Sequence, residues 1–302
     1  LEGMLRDLRG EIPSADLTNF KLSHYSPGAG YVYARSAWND DATYFFFKCG
    51  DRFTSHQHLD VGHFLIFKHA ELAGDGGHFS DWNGIHDVNF YIRSIAHNTV
   101  LVRDPAEHWE GIRATGQQAL GNDGGQAFPW VPIHHNGGMA DMDEWSRHRE
   151  LLHTGAMLAC KDQGAYLYVA GDCTRAYAHK KLEYFSRQIV FLRPDTFVIF
   201  DRVKATQPAF KKTWLLQALN IPERQGKHLV VSNGTGRLFV QTLLPHKVEV
   251  RLFHGEALYS YEGKNYAPAN LTGPAPKCRV EIPPAVQAAE DFFLHVLTAT
   301  DS

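Results

Sequence analysis

The sequence predicts an all-β protein, a large antiparallel β-sandwich, on three observations. Short runs of β-branched and aromatic residues recur along most of the 302 residues, which suits a pleated, half-buried surface. Turn-forming clusters such as Asn39-Asp40-Asp41 and Pro194-Asp195 separate the runs, as hairpins require. No stretch shows sustained helical periodicity with caps, which leaves little room for an α/β topology. With 44% apolar and 21% charged residues, the composition is that of a globular protein able to bury a sizeable core.

Residues 1–28 are polar and irregular, interrupted by Pro13 and Pro27, and read as a linker from a preceding domain. The first residues, Leu-Glu-Gly-Met-Leu-Arg, resemble neither a signal peptide nor a natural start, so a cut inside a longer chain is expected. Tyr31-Val-Tyr-Ala-Arg-Ser-Ala-Trp38 alternates, and Thr43-Tyr-Phe-Phe-Phe-Lys48 follows as a buried strand. Residues 62–69 and 71–74 form a second predicted hairpin, and Asn98-Thr-Val-Leu-Val102 starts another strand. The glycines and prolines of residues 104–147 predict long surface loops, and His134-His135 there reads as a solvated pair. Strands resume at residues 149–153, 165–170, 184–192 and 196–200. Beyond Gln207-Pro208 a second block is expected, with strands at residues 212–217, 227–232, 237–243, 248–253, 278–282 and 291–297. The expected organisation is a main sandwich over residues 29–206 and a C-terminal sheet block over residues 207–302, stacked as two antiparallel systems.

Composition narrows the function classes. A net charge of −3 provides no global basic field for nucleic acid or an anionic membrane, although a local cluster can still hold a polyanion. No apolar run reaches the ~18 residues that cross a bilayer. The cysteines at 49, 160, 173 and 278 are scattered without a CxxC pair and read as free thiols.

The chemistry concentrates in Ser55-His56-Gln-His58-Leu-Asp60-Val-Gly62-His-Phe64, in Gly74-Asp75-Gly76-Gly77, and in Tyr91-Ile-Arg93-Ser-Ile-Ala-His97-Asn98-Thr99-Val100. Zinc is commonly held by three or four nitrogen, oxygen or sulfur donors, and these segments supply two kinds. If the first segment is extended, His56 and His58 share a face, so one can bind metal while the other turns toward a cleft. The glycines around Asp75 let its carboxylate approach another strand, and the Asn98 amide is placed to orient a neighbouring ring. With 18 histidines in the chain, spacing alone leaves open a metal site and an ordinary histidine-rich rim. His63, His69, His78 and His86 are expected as half-exposed strand or loop residues.

Taken together these segments resemble the heparinase II/III-like polysaccharide lyases. The resemblance extends to Gly171-Asp172-Cys-Thr174-Arg-Ala-Tyr177, to Phe191-Leu-Arg-Pro194 with Phe197-Val-Ile-Phe-Asp201-Arg202-Val203, and to Leu243-Leu-Pro245. It covers residues 28–300 in consistent order. It implies the β-sandwich of a protein whose N-terminal (α/α) toroid this sequence lacks. It also implies β-elimination at a 4-linked uronic acid in an acidic polysaccharide, in a bacterial protein that is secreted or periplasmic. By motif position, His56 is then the cleft histidine that neutralises charge or acts as base. His58, Asp75 and His97 hold one zinc ion that organises the loop carrying it, and Arg93 and Asn98 are candidates for substrate carboxylate or sulfate. The family's catalytic tyrosine, and an asparagine or further histidine, belong to the toroid and have no counterpart here. Two other readings compete: a carbohydrate-binding β-sandwich with a structural zinc and no catalysis, and a cupin-like hydrolase using His56, His58 and His97. A cupin expects a glutamate soon after the H-x-H pair and a glycine-rich second motif, neither of which the sequence contains.

Overall fold

The aromatic run at residues 43–48 forms the strand β3 (Tyr44–Lys48), in which Phe45 and Phe47 turn inward and Phe46 outward. In the computed structural model, which describes residues 17–53, 56–80, 84–108, 121–128, 139 and 141–301, it is an inner strand of the first of two large sheets. β1 (Ser23–Ser26), β2 (Tyr31–Arg35), β3, β4 (Phe64–Lys68) and β5 (Ala70–Ala73) are antiparallel neighbours in chain order. The sheet continues through β11 (Lys211–Ala218), β18 (Cys278–Ile282) and β15 (Arg251–His254), while β6 (Val100–Arg103) pairs with the first half of β11. The second sheet runs β12 (Glu223–Gln225), β13 (His228–Asn233), β14 (Gly236–Leu244), β19 (Glu290–Asp301), β10 (Thr196–Ala205), β9 (Leu182–Leu192), β8 (Tyr166–Asp172) and β7 (Ala156–Asp162). The all-β sandwich is as expected. Among the described residues no helix is long and apolar enough to cross a membrane.

The two sheets face each other over one apolar core. On β10 the buried positions alternate, with Phe197, Ile199, Asp201, Val203 and Ala205 turned inward, the period-2 signature of a strand with one face covered. Phe197 stacks on Phe191 at 4.4 Å between ring centroids and meets Phe45 of the opposite sheet at 5.3 Å. Trp214 on β11 stacks on His295 of β19 at 3.9 Å. Burying such side chains contributes about 1.5–3 kcal/mol each.

Asp201 is a carboxylate on an inward-facing row, and its register partner on β9 is Arg187. Nε and Nη2 of Arg187 donate to the two carboxylate oxygens at 2.7 and 2.8 Å, and neither side chain is exposed. The remaining nitrogen, Nη1, crosses to the first sheet and donates to the carbonyls of Gly62 at 2.6 Å and Asn98 at 2.5 Å. The planar guanidinium fork matches a carboxylate in this bidentate way and still has donors to spare. One buried cation therefore ties the second sheet to the two segments that carry His63 and His97.

Three expectations differ from the structure. The strand expected at residues 149–153 is instead largely helical: short helices at Met142–Arg147 and Arg149–Leu152 follow Asp141, whose side chain accepts from the Glu144 amide at 2.8 Å. Asp141-x-x-Glu144 is a capping-box signature, and no β-branched residue follows to oppose a helix. The stretch assigned to a linker supplies β1, an edge strand. The division at residues 206/207 does not describe the sheets, because β11, β15 and β18 extend the first while β19 lies between β10 and β14 in the second. β11 is buried along nearly its whole length, so it needs neighbours on both edges and cover on both faces. The His134-His135 pair lies outside the described residues.

Two outcomes follow. Arg187→Leu strands a buried carboxylate and is expected to cost about 3–5 kcal/mol in denaturant unfolding at neutral pH; an unchanged midpoint would contradict the bracing role. His295 is buried, and burial, with Arg187 nearby, lowers its pKa to about 3. Its contribution is fully present above the unfolded value near 6.5 and is lost as pH falls toward 3, because only the unfolded chain takes up the proton. His295→Gln should therefore lose less stability than the parent between pH 6.5 and 4.5; parallel pH profiles for the two proteins would argue against it.

Candidate functional site

The loop before β4 is held by a series of bonds to two other segments. Leu59 N–H donates to the Ile92 carbonyl at 2.8 Å, and Ser94 Oγ donates to the Leu59 carbonyl at 2.6 Å. The Gln126 amide brackets Val61, accepting from its N–H at 2.9 Å and donating to its carbonyl at 2.7 Å. Gly62, at φ 87°, continues the pairing with Lys48, and a Cβ there would lie 3.0 Å from Cys173 Sγ. Every one of these backbone groups is satisfied away from water, so the loop has one seating.

From the other side come β5 and the turn after it. Gly76 N–H donates to the Ala96 carbonyl at 2.8 Å, and a Cβ on Gly76 would come within 2.8 Å of that oxygen. Only glycine permits this approach, and it brings Asp75 against His97 at the end of the 3-10 turn Ser94–Ala96. Asn98 locks the junction. Its side-chain nitrogen donates to the carbonyls of Phe64 at 2.7 Å and Gly74 at 3.0 Å, and its Oδ1 accepts from Gln217 N–H at 2.6 Å.

The structure thus brings together the three residues that the family resemblance implied as ligands. One ligand atom each of His58, Asp75 and His97 lies within 4.8 Å of the others. His97 Nδ1 is hydrogen-bonded to Asp75 Oδ1, and the ring centroids of His58 and His97 are 5.1 Å apart. Burial works against a charge on His97, but the Asp75 carboxylate and its hydrogen bond outweigh it and raise the pKa. Burial likewise opposes ionised Asp75, yet His97 pulls its pKa well below the usual carboxylate range; the side chain keeps 44% of its surface, so water screens part of that attraction. His58 falls to about 4 through burial and then the charge of His97, so its ring is neutral at pH 7 with a lone pair available. His97 Nε2 is buried without a hydrogen-bond partner among the described residues. An orphaned imidazole nitrogen beside a carboxylate and a second neutral imidazole fits a divalent cation that accepts nitrogen and oxygen donors, zinc among them.

His56 is exposed, but not by the expected route. It occupies the left-handed region at φ 63° in a turn, so the segment is not extended and the two-residue parity does not apply. Holding an L-residue there costs on the order of 1–2 kcal/mol, and such strain concentrates at functional sites. Arg93 and Asn98, expected to contact substrate, have no accessible surface. Arg93 donates to Asp123 Oδ1 at 2.5 Å and to the Gly121 carbonyl at 3.3 Å, and Asn98 is the brace described above. Both are therefore structural.

Two neighbours escaped the sequence reading. The Tyr91 ring packs edge-on against His58 at 4.7 Å, and His63 is 2% exposed instead of half-exposed. His78 and His86 are buried as well, with His86 Nε2 accepting from His78 N–H at 3.1 Å. No local pattern distinguishes a buried histidine from a rim histidine, since the burial comes from segments far away in the chain.

Comparison with known proteins identifies the fold and the family. The chain superimposes on a solved heparinase III with a TM-score of 0.65 at 13% identity, covering 99% of this chain and 39% of that one. It superimposes on the heparan sulfate lyase HepC from Pedobacter heparinus with a TM-score of 0.63 at 16% identity, covering 96% of this chain and 38% of that one. The chain therefore spans under two fifths of the length of these solved structures, and at such identity they show the fold alone. No curated protein matches it. The family model described as "Heparinase II/III-like, C-terminal" matches residues 21–270, and the chain belongs to that family.

Proposed function

We propose that this chain supplies the histidine-bearing, metal-organised side of the cleft in a lyase that cleaves uronic-acid-containing polysaccharide by β-elimination. The observation that carries the reading is the pairing of an exposed His56 with the converging His58, Asp75 and His97 two residues further on and across the turn. Family membership and the heparan sulfate lyase named among the solved structures support it.

In such a reaction the proton on C5 of the uronate leaves, its electron pair forms the C4–C5 double bond, and the C4–oxygen bond breaks with a proton delivered to the departing oxygen. The C5 proton is weakly acidic until the adjacent carboxylate is neutralised. His56 is the group of this chain placed to neutralise that carboxylate or accept the proton. His58, Asp75 and His97 are the residues that would hold a zinc ion, which when bound supplies fixed positive charge and orders its ligands. Their role toward the reaction is to hold the His56 turn in place. The remaining proton donor and carboxylate contacts come, on this reading, from a toroid domain of the same protein, and the protein acts outside the cytoplasm as a secreted or periplasmic enzyme.

A second reading, a carbohydrate-binding sandwich with a structural zinc and no catalysis of its own, is favoured by one observation. Arg93 and Asn98 have no accessible surface and bond within the chain, so neither reaches a substrate carboxylate.

Absorbance in the ultraviolet band of unsaturated uronates separates the two. The full-length protein, incubated with heparan sulfate, chondroitin, hyaluronan, alginate and ulvan, is expected to generate that band with at least one; no rise from zinc-loaded protein sinks the lyase reading. His58→Ala should lose both zinc and thermal stability. His56→Ala should retain zinc, measured by elemental analysis, and lose on the order of 100-fold or more in turnover. Equal loss of zinc in the two variants would show that the division of labour is wrong.

A further inference from the structure

His63 belongs to the same cluster but stands outside the triad. It lies immediately before β4, buried, with its ring centroid 5.3 Å from that of His97. The backbone N–H of Asn98 points at its Nδ1 at 2.9 Å. A peptide N–H can only donate, so Nδ1 presents a lone pair, and a neutral imidazole in that state carries its single proton on Nε2. Asn98 cannot swing away to permit the other tautomer, because its carbonyl accepts from Arg187 and its side chain bridges Phe64, Gly74 and Gln217.

Nε2 of His63 is therefore a donor. It is buried with no hydrogen-bond partner among the described residues, and Asp75 Oδ1 lies 3.9 Å away. We propose that His63 is a positioning residue and not a metal ligand: its Nε2–H holds the Asp75 carboxylate and so determines which oxygen lone pairs face the ion. Asp75 sits between glycines with a partly exposed side chain, so closing the gap to an ordinary hydrogen bond asks for a shift of about 1 Å. Acting as a fourth ligand would instead require the proton on Nδ1, where two donors would face each other in the core. The inference rests on the zinc reading only for what Asp75 is held toward; the place of the proton follows from the Asn98 contact alone.

Nitrogen NMR of the chain labelled with 15N-histidine, before and after addition of zinc ion alone, tests this. His63 is expected to show a protonated Nε2 and an unprotonated Nδ1 in both spectra, with metal-induced shifts confined to His58 and His97. His63→Phe should weaken zinc binding 10–100-fold, as loss of an outer partner does. His63→Gln should recover most of it, since one amide can accept from Asn98 and donate to Asp75. Loss of the Nε2 proton on zinc addition, or an unchanged zinc Kd in His63→Phe, overturns the assignment. If His63→Phe fails to fold, the spectra of the parent chain decide. If the parent takes up no zinc, the zinc reading fails separately, and a proton on Nδ1 in the metal-free chain still overturns the role of His63.

Discussion

Arg187 uses all three of its guanidinium nitrogens inside the sandwich, two on Asp201 of the adjacent strand and one on the carbonyls of Gly62 and Asn98 across the core. Removing such a cation from water is unfavourable unless every donor is satisfied in good geometry. Here the bidentate pair and the two carbonyls take up four of the five N–H donors and leave none of the three nitrogens without a partner. The consequence reaches the site directly, because Gly62 precedes His63 and Asn98 follows His97. The distance between those two imidazoles is therefore set by the core, and the loops that carry them have no freedom to drift apart.

A layered polar site results. His97 and Asp75 stabilise each other's charged forms, while burial keeps His58 and His63 neutral, each with a pKa near 4. A neutral imidazole is a ligand or a hydrogen-bonding group, never both at the same nitrogen. Which one it becomes is decided by the partner at its other nitrogen. Asn98 N–H decides it for His63. His56 is exposed in its turn, as the proposed role of meeting a substrate requires.

Several parts of this arrangement were legible from residues alone. The glycines around Asp75 announced a close backbone approach, and Gly76 makes it against Ala96. The three segments around His58, Asp75 and His97 carried the family resemblance, and the family model covers them. The strand expected at residues 196–200 is there, as the first half of β10. The helix after Asp141 has a local signal in its capping box, which the expectation of a strand at residues 149–153 did not use. What had no local signal was burial. Arg93 and Asn98 look like surface recognition residues in sequence, and His63 like a rim histidine, because their partners are distant in the chain: Asp123 for Arg93, Arg187 and Gln217 for Asn98, and Asn98 for His63.

By itself the amino-acid sequence determined the periodicity of the strands, the glycines that permit close approach, and the identity of the groups able to bind a cation. These depend on each residue and its neighbours, so they are written in order along the chain. Tertiary structure alone decided that strands from both halves interleave in both sheets, that His56 lies in a left-handed turn instead of an extended run, and that Asn98 braces the site rather than reaching substrate. Those outcomes depend on contacts between residues far apart in the chain, such as the 125 positions between Arg187 and Gly62. Such pairings exist only once the two sheets have closed on one another and excluded the water that would otherwise satisfy the same donors.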